Sequence, residues 1–304
     1  MKIAVIITSF NEKTTIGKAV KAVIKAVNNE QKYNNFYQIV LVAPDLDTLS
    51  EGERVAQSEV YAHFKTVKDN GTGKPAALNL AISNVEADCF IFTDGDVEVS
   101  EQSISELVSE LSVGTKSAVG GHPVSADSRL TFWGYSSHLY CEAAHQRRLK
   151  NDLYTPLSGY LYIMKNIPGV FPMPEKIRSD DAYISMKLVE MGKEIGYAGN
   201  ALVYTKFPKN LSDWMSQKKR SLGGNIQLLK YKNTSITKEN HTRNINEDLS
   251  MALFPMTFAK NAKEYVFSIL MYPLRAYLWL TIYFNHLLNR YSVGAWQRIE
   301  SSKQ

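Results

Sequence analysis

Over the first hundred residues, apolar runs alternate with segments of helical spacing. Lys2 to Thr8 is apolar at nearly every position and rich in Ile and Val, the pattern of a strand buried on both faces. Ile16, Ala19, Val20, Val23, Ile24 and Val27 then recur at helical intervals and share one helix face. Gln38 to Ala43 reads as a second buried strand, ended by Pro44 and Asp45. A polar helix follows over Thr48 to Ala62, then a short strand over Phe64 to Val67. Asp69 to Gly73 is a turn cluster, Pro75 to Val85 a helix and Cys89 to Thr93 another strand. Strands alternating with helices predict an α/β domain with a mostly parallel sheet. Such sheets bind ligands beyond the carboxyl ends of their strands. Thr8 to Glu12, Asp45 and Asp94 to Asp96 all fall there.

The second half is less regular. It predicts a helix over Leu130 to Lys150, a strand over Gly159 to Met164 and a helix over Asp180 to Met191 with an acidic first turn. A further helix is expected over Ser212 to Tyr231, and a polar loop over Asn233 to Asn246. From Tyr265 to Leu288 the chain is apolar and aromatic, close to the ~20 residues that span a bilayer. Pro273, Arg275, Asn285 and His286 interrupt it, while Trp279 and several tyrosines suit a bilayer interface. Docking on a membrane surface is the leading expectation; a single span and a buried helix or oligomer interface are the alternatives.

Composition narrows the class. With 44% hydrophobic and 21% charged residues, the 304-residue chain is globular, long enough for one large domain or two small ones. A net charge of +5 gives no case for nucleic acid and suits anionic small molecules or an anionic membrane face. Cys89 and Cys141 show no metal-ligand spacing, and a reducing cytoplasm is the expected compartment. The opening apolar run reads as a core strand rather than a signal peptide.

Four segments carry chemistry. In FIFTDGDVEV, Asp94 and Asp96 stand two residues apart beyond a strand and can face one divalent cation, with Gly95 between them. A solvated acidic turn is the plainer alternative. In RSDDAYISMKL, Asp180 and Asp181 open a helix, either as a helix cap or with one carboxylate as a general base. In SQKKRSLGGN, Gln217, Lys218 and Arg220 can stabilise a diphosphate or line a basic helix face. In DNGTGKPAALN, Lys74 begins a helix where a phosphate or ribose can bind, although the spacing is not that of a P-loop. His122 is a further candidate for metal or acceptor contact.

In this order the segments resemble family 2 glycosyltransferases, over about Lys2 to Asn225. The resemblance rests on Thr8-Ser9-Phe10-Asn11-Glu12, Asp45, the Gly73-Lys74…Ala77-Leu78-Asn79 stretch, Asp94-Gly95-Asp96, Asp180-Asp181 and Gln217-Lys218…Arg220. It implies a GT-A fold: a Rossmann-like, mostly parallel mixed sheet flanked by helices, with a C-terminal apolar helical tail. Residues 1–232 would form the transferase domain, 1–100 binding the nucleotide sugar and 101–232 the acceptor, with 233–304 as a membrane-associating tail. The implied activity is inverting sugar transfer from a nucleotide-diphosphate sugar, a UDP-sugar by family habit, to a hydroxyl of a glycan or lipid-linked acceptor. The setting would be cell-surface polysaccharide or glycolipid synthesis at the inner membrane face, with a single span possible. Asp94 and Asp96 would hold Mg2+ or Mn2+ and Asp181 would be the base. Thr8, Phe10, Glu12, Asp45, Lys74, Asp94 and Gly95 would contact the donor. Gln217, Lys218, Arg220, Asp180, Ser158 and Gly159 would serve the diphosphate or acceptor. The sequence departs from the family pattern at Ala43-Pro44, in the Asp-Asp pair, and at Ser221, where tryptophan is usual. The last change and the short tail argue for single addition rather than polymerisation. A sugar-nucleotide pyrophosphorylase would carry a glycine- and arginine-rich loop where this chain has SFNEKT. A non-catalytic scaffold of the same fold is the other rival.

Overall fold

β1 (Lys2–Thr8), β2 (Phe36–Ala43) and β4 (Cys89–Asp94) are buried along almost their whole length, which explains their unbroken apolar runs. The computed structural model describes residues 1–30, 35–150, 156–228, 251–287 and 300–302; the loop expected at Asn233 to Asn246 lies outside them. β3 (Phe64–Lys68) completes a parallel set in the order β3-β2-β1-β4. β7 (Leu161–Lys165) joins β4 antiparallel, and β6 (Ala118–Ser125), β8 (Ile195–Thr205) and β5 (Glu98–Val99) extend the sheet to eight strands. The fold is the expected mixed α/β sheet flanked by helices.

Register aligns the ligand-binding edge. Thr8 pairs with Asp94 on one side and Val42 on the other, and Ala43 pairs with Lys68. Thr93 pairs with Leu161 of the antiparallel β7, so the segment entering β7 meets the carboxyl end of β4.

The helices of this part are α1 (Ile16–Glu30), α2 (Leu46–Ser58), α3 (Lys74–Ser83), α4 (Ser103–Ser112) and, after β7, α6 (Asp180–Glu190). α1 buries the six apolar residues that its spacing predicts. The stretch 97–129, to which the pattern reading assigns no element, holds β5, α4 and β6. There α4 buries Ile104, Leu107, Val108 and Leu111 at helical spacing.

By compactness the chain divides into two units, Met1–Pro123 with Asn151–Thr205, and Val124–Lys150 with Lys206–Gln304. This interleaved division differs from a split between 1–232 and 233–304. The second unit contains α5 (Phe132–Lys150), α7 (Leu211–Leu228), α8 (Phe254–Phe258) and α9 (Ala262–Leu287). Its core gathers Tyr135, Leu139, Trp214, Met215, Met271, Leu278 and Ile282. Arg129 reaches both oxygens of the buried Glu264 at 2.7 and 2.9 Å and lies 4.1 Å from the Phe258 ring centroid. In α9, residues Ala262–Phe284 are long and apolar enough to cross a membrane by length and composition.

Candidate active site

The first unit carries the acidic centre. Asp94 ends β4, where Thr8 Oγ1 donates to its Oδ1 at 2.9 Å. The next backbone amide, Gly95 N, donates to Thr8 O at 2.8 Å and ties the Asp-Gly-Asp turn to β1. The side-chain position of Gly95 is closed by its neighbours: a Cβ there would stand 2.5 Å from Ser9 Oγ and 2.8 Å from Glu12 Oε2. Ser9 Oγ donates to the buried Glu12 at 2.7 Å, so Glu12 braces this loop.

Asp45 is the N-cap of α2. Its two oxygens accept from Thr48 N at 2.8 Å and Asn11 N at 2.9 Å. Burial pushes its carboxyl up, but the Thr48 hydroxyl and these amides outweigh burial, and it titrates below the ordinary value. Phe10 and Pro44 flank Gly71 nearby.

Lys74 is the first residue of α3. It follows Gly73 at φ 135°, a backbone conformation that L side chains rarely adopt. Its ammonium lies 2.7 Å from Asp94 Oδ1 and 3.4 Å from Asp180 Oδ2, and donates to Gly159 O at 3.3 Å. Burial disfavours the charged amine, yet Asp180, Asp94 and Asp181 more than offset it, and its pKa is raised. Asn79, one helical turn on, pairs both backbone groups of Met173 at 2.8 Å and anchors the segment before α6.

The acid pair splits by environment. Asp180 is buried, and burial lifts it to about 6; Lys74 opposes the shift while Asp181 and Asp94 add to it. Its Oδ2 takes no hydrogen bond, so the Lys74 contact balances its charge without filling its lone pairs. Asp181 is half-exposed. Its Oδ2 accepts from Gly159 N at 2.9 Å, and its Oδ1 from Ser179 Oγ at 2.9 Å and Ala182 N at 2.8 Å. These donors fix its orientation. The preceding Ser158 is buried beside it.

The structure thus brings together Thr8, Lys74, Asp94, Gly159, Asp180 and Asp181, with Gly95 and Glu12 bracing the turn. Asp96 follows in that turn, half-buried. Gln217, Lys218 and Arg220 lie on α7 in the second unit, where the Lys218 ammonium stands 3.9 Å from the Tyr140 ring centroid. His122 bonds through Nδ1 to Gly199 O at 2.9 Å, a contact with the chain's own backbone.

Two residues outside the sequence-derived set belong here. Asp69 ends the β3 strand region, is buried, and is raised by burial and by Asp45, against the Gly71 amide. Its position after a strand was a readable signal. The Tyr162 hydroxyl is buried without a hydrogen-bond partner, and Asp180, Asp181 and Asp94 join burial in raising its pKa. Nothing in the apolar β7 sequence marks it.

Among the described residues, no three of His, Cys, Asp and Glu form a metal cage. Asp94 and Asp96 supply hard oxygen donors from one turn, which fits a divalent cation that completes its shell with diphosphate oxygens and water.

Comparison places the chain and its fold among known proteins. The sequence profile of "Glycosyl transferase family 2" matches residues 4–167, more than half of the chain, and that of "Glycosyl transferase family group 2" matches residues 90–296. No curated protein sequence matches. Among solved structures, the mannosyltransferase PcManGT from Pyrobaculum calidifontis, in complex with GDP-Man and Mn2+, aligns with TM-score 0.61 at 16% identity, over 93% of this chain and 80% of that one. S. aureus TarS residues 1–349, in complex with UDP-GlcNAc, aligns with TM-score 0.51 at 14% identity, over 84% and 71%. At these identities the likeness establishes the fold, which is GT-A.

Proposed function

Because the chain belongs to glycosyl transferase family 2, we propose that it is a metal-dependent, inverting transferase that moves a sugar from a UDP-sugar to a hydroxyl of a membrane-borne glycan or lipid-linked acceptor. The observation that carries the reading is the convergence of the Asp94 turn and the Asp180-Asp181 pair on Lys74 and Gly159.

Asp181 is the base. It is the more exposed of the pair, and its orientation is fixed by three donors. It takes the acceptor's hydroxyl proton as that oxygen bonds to the anomeric carbon and the bond to the donor diphosphate breaks on the opposite face. Asp94 and Asp96 would hold Mg2+ or Mn2+. When bound, the cation neutralises the donor diphosphate and the departing nucleoside diphosphate. Thr8, Phe10, Asp45 and Lys74 line the donor side, and Ser158 and Gly159 the sugar side.

The membrane setting is supported by α9. Met271, Leu278 and Ile282 are buried, while Tyr265, Ile269, Leu270, Tyr277, Leu280 and Phe284 are exposed. A helix apolar on its outer face as well as its packed face fits the inner face of the cell membrane. Co-sedimentation with anionic vesicles, abolished by Ile269→Lys and Leu280→Lys together, is the expected behaviour; unchanged partitioning of that variant rejects the membrane role.

The deciding assay presents UDP- and GDP-sugars with Mn2+ or with EDTA. Release of nucleoside diphosphate that requires the cation is expected. Release of pyrophosphate, or no turnover with any donor and acceptor extract, refutes the reading.

A further inference from the structure

We propose that Lys74 is a resident counter-ion that assembles the acidic centre before any ligand arrives, holding the Asp94 turn and the start of α6 together. The inference rests on the transferase reading only for what the centre is used for; its electrostatics stand alone.

The ammonium touches three separate pieces of chain: Asp94 at the end of β4, Asp180 at the start of α6, and the Gly159 carbonyl before β7. β4 meets β7 through a ladder that reaches Thr93 and Leu161, and Gly159 N bonds Asp181; the ammonium adds a direct link between the Asp94 carboxylate and Asp180. The Lys74 side chain is only 10% exposed, so it is stable as a cation only because carboxylates surround it. The dependence runs the other way too. Asp180 Oδ2 is buried with no hydrogen bond, and the ammonium at 3.4 Å balances its charge. Without it, Asp94, Asp180 and Asp181 would repel one another across the site. Lysine suits the task as a compact point charge that can serve three acceptors not in one plane, which a planar guanidinium cannot. Gly73 and Pro75 fix where the side chain starts.

Lys74 is therefore a positioning residue with a distinctive signature. Removing its charge makes the site potential more negative, so a divalent cation should bind more tightly. The carboxylates are then mis-set, so turnover should fall. A merely structural lysine would weaken both.

The experiment uses the full chain as wild type, Lys74→Met, Asp180→Asn and the double variant. It reads Mn2+ affinity by calorimetry, melting temperature in EDTA, and kcat. Lys74→Met should bind Mn2+ at least ~10-fold more tightly, melt lower in EDTA and lose kcat. Adding Asp180→Asn should return both affinity and melting temperature toward wild type. Unchanged or weaker Mn2+ binding in Lys74→Met, or no recovery in the double variant, overturns the inference. A rise in donor KM alone would make Lys74 an ordinary donor ligand and also overturns it. If Lys74→Met does not fold, a folded double variant supports the inference and an unfolded one overturns it. If wild type binds no Mn2+, the metal-dependent transferase reading fails, and the melting cycle between Lys74 and Asp180 alone decides the counter-ion: coupling supports it, additivity overturns it.

Discussion

Gly95→Ala tests how the Asp-Gly-Asp turn is held. The added methyl would stand 2.5 Å from Ser9 Oγ, 2.7 Å from Ser9 Cβ and 2.8 Å from Glu12 Oε2. Neither neighbour moves freely: Glu12 is 3% exposed, its amide donates to Thr48 Oγ1 at 2.9 Å, and the Gly95 amide is bonded to Thr8 O. Overpacking of this kind destabilises by about 1–3 kcal/mol. Displacing Ser9 also breaks its hydrogen bond to the buried Glu12 carboxylate, for about another 1–3 kcal/mol. The sum, about 2–6 kcal/mol, corresponds to a fall in melting temperature of roughly 3–10 °C for a chain of this size. Mn2+ affinity should fall as well, since Asp94 and Asp96 flank the altered residue. Ser9→Gly removes two of the three crowding atoms, so Gly95→Ala should be milder in that background, with a coupling of about 1–2 kcal/mol in a four-variant melting cycle. A Gly95→Ala protein that melts within about 1 °C of wild type, or a cycle with no coupling, would refute the steric account of this glycine.

Other outcomes follow from the same geometry. Asp181→Asn should lower kcat by about 10²–10⁴-fold with donor and Mn2+ binding retained; near-wild-type turnover removes Asp181 from the base role. Asp96→Ala should weaken metal and donor binding together in calorimetric titration, and loss of one without the other contradicts a shared site. In the second unit, Arg129 holds the Glu264 carboxyl at about 2 against an ordinary 4.5. That depressed value contributes stability in full above pH 4.5, and the contribution is lost as pH falls toward 2. Glu264→Gln should therefore melt lower at pH 7, by up to about 3 kcal/mol, with the gap closing in acid; a gap that persists at pH 2 rejects the linkage.

The sequence by itself determined the sheet's centre and the chemistry at its edge. β1, β2 and β4 are legible because a strand buried on both faces must be apolar throughout, and α1 because one buried face imposes helical spacing. The Asp94, Asp180-Asp181 and Lys74 segments are legible because carboxylates and a lysine beside glycine or a helix start are local patterns. The helix α4 was equally readable in Ile104, Leu107, Val108 and Leu111. Only the tertiary structure decided which partners these groups found. The residues of the acid pair taken alone left the base open, and only the family resemblance pointed to Asp181; in the fold, burial against Lys74 separates Asp180 from the half-exposed Asp181. That Ser9 and Glu12 close the side-chain position of Gly95 follows from no local pattern. The interleaving of two compact units along the chain was also beyond a local reading. The reason is common to all three: periodicity and side-chain type are properties of neighbours along the chain, whereas burial, charge pairing and steric fit are set by segments brought together from ten to more than a hundred positions apart.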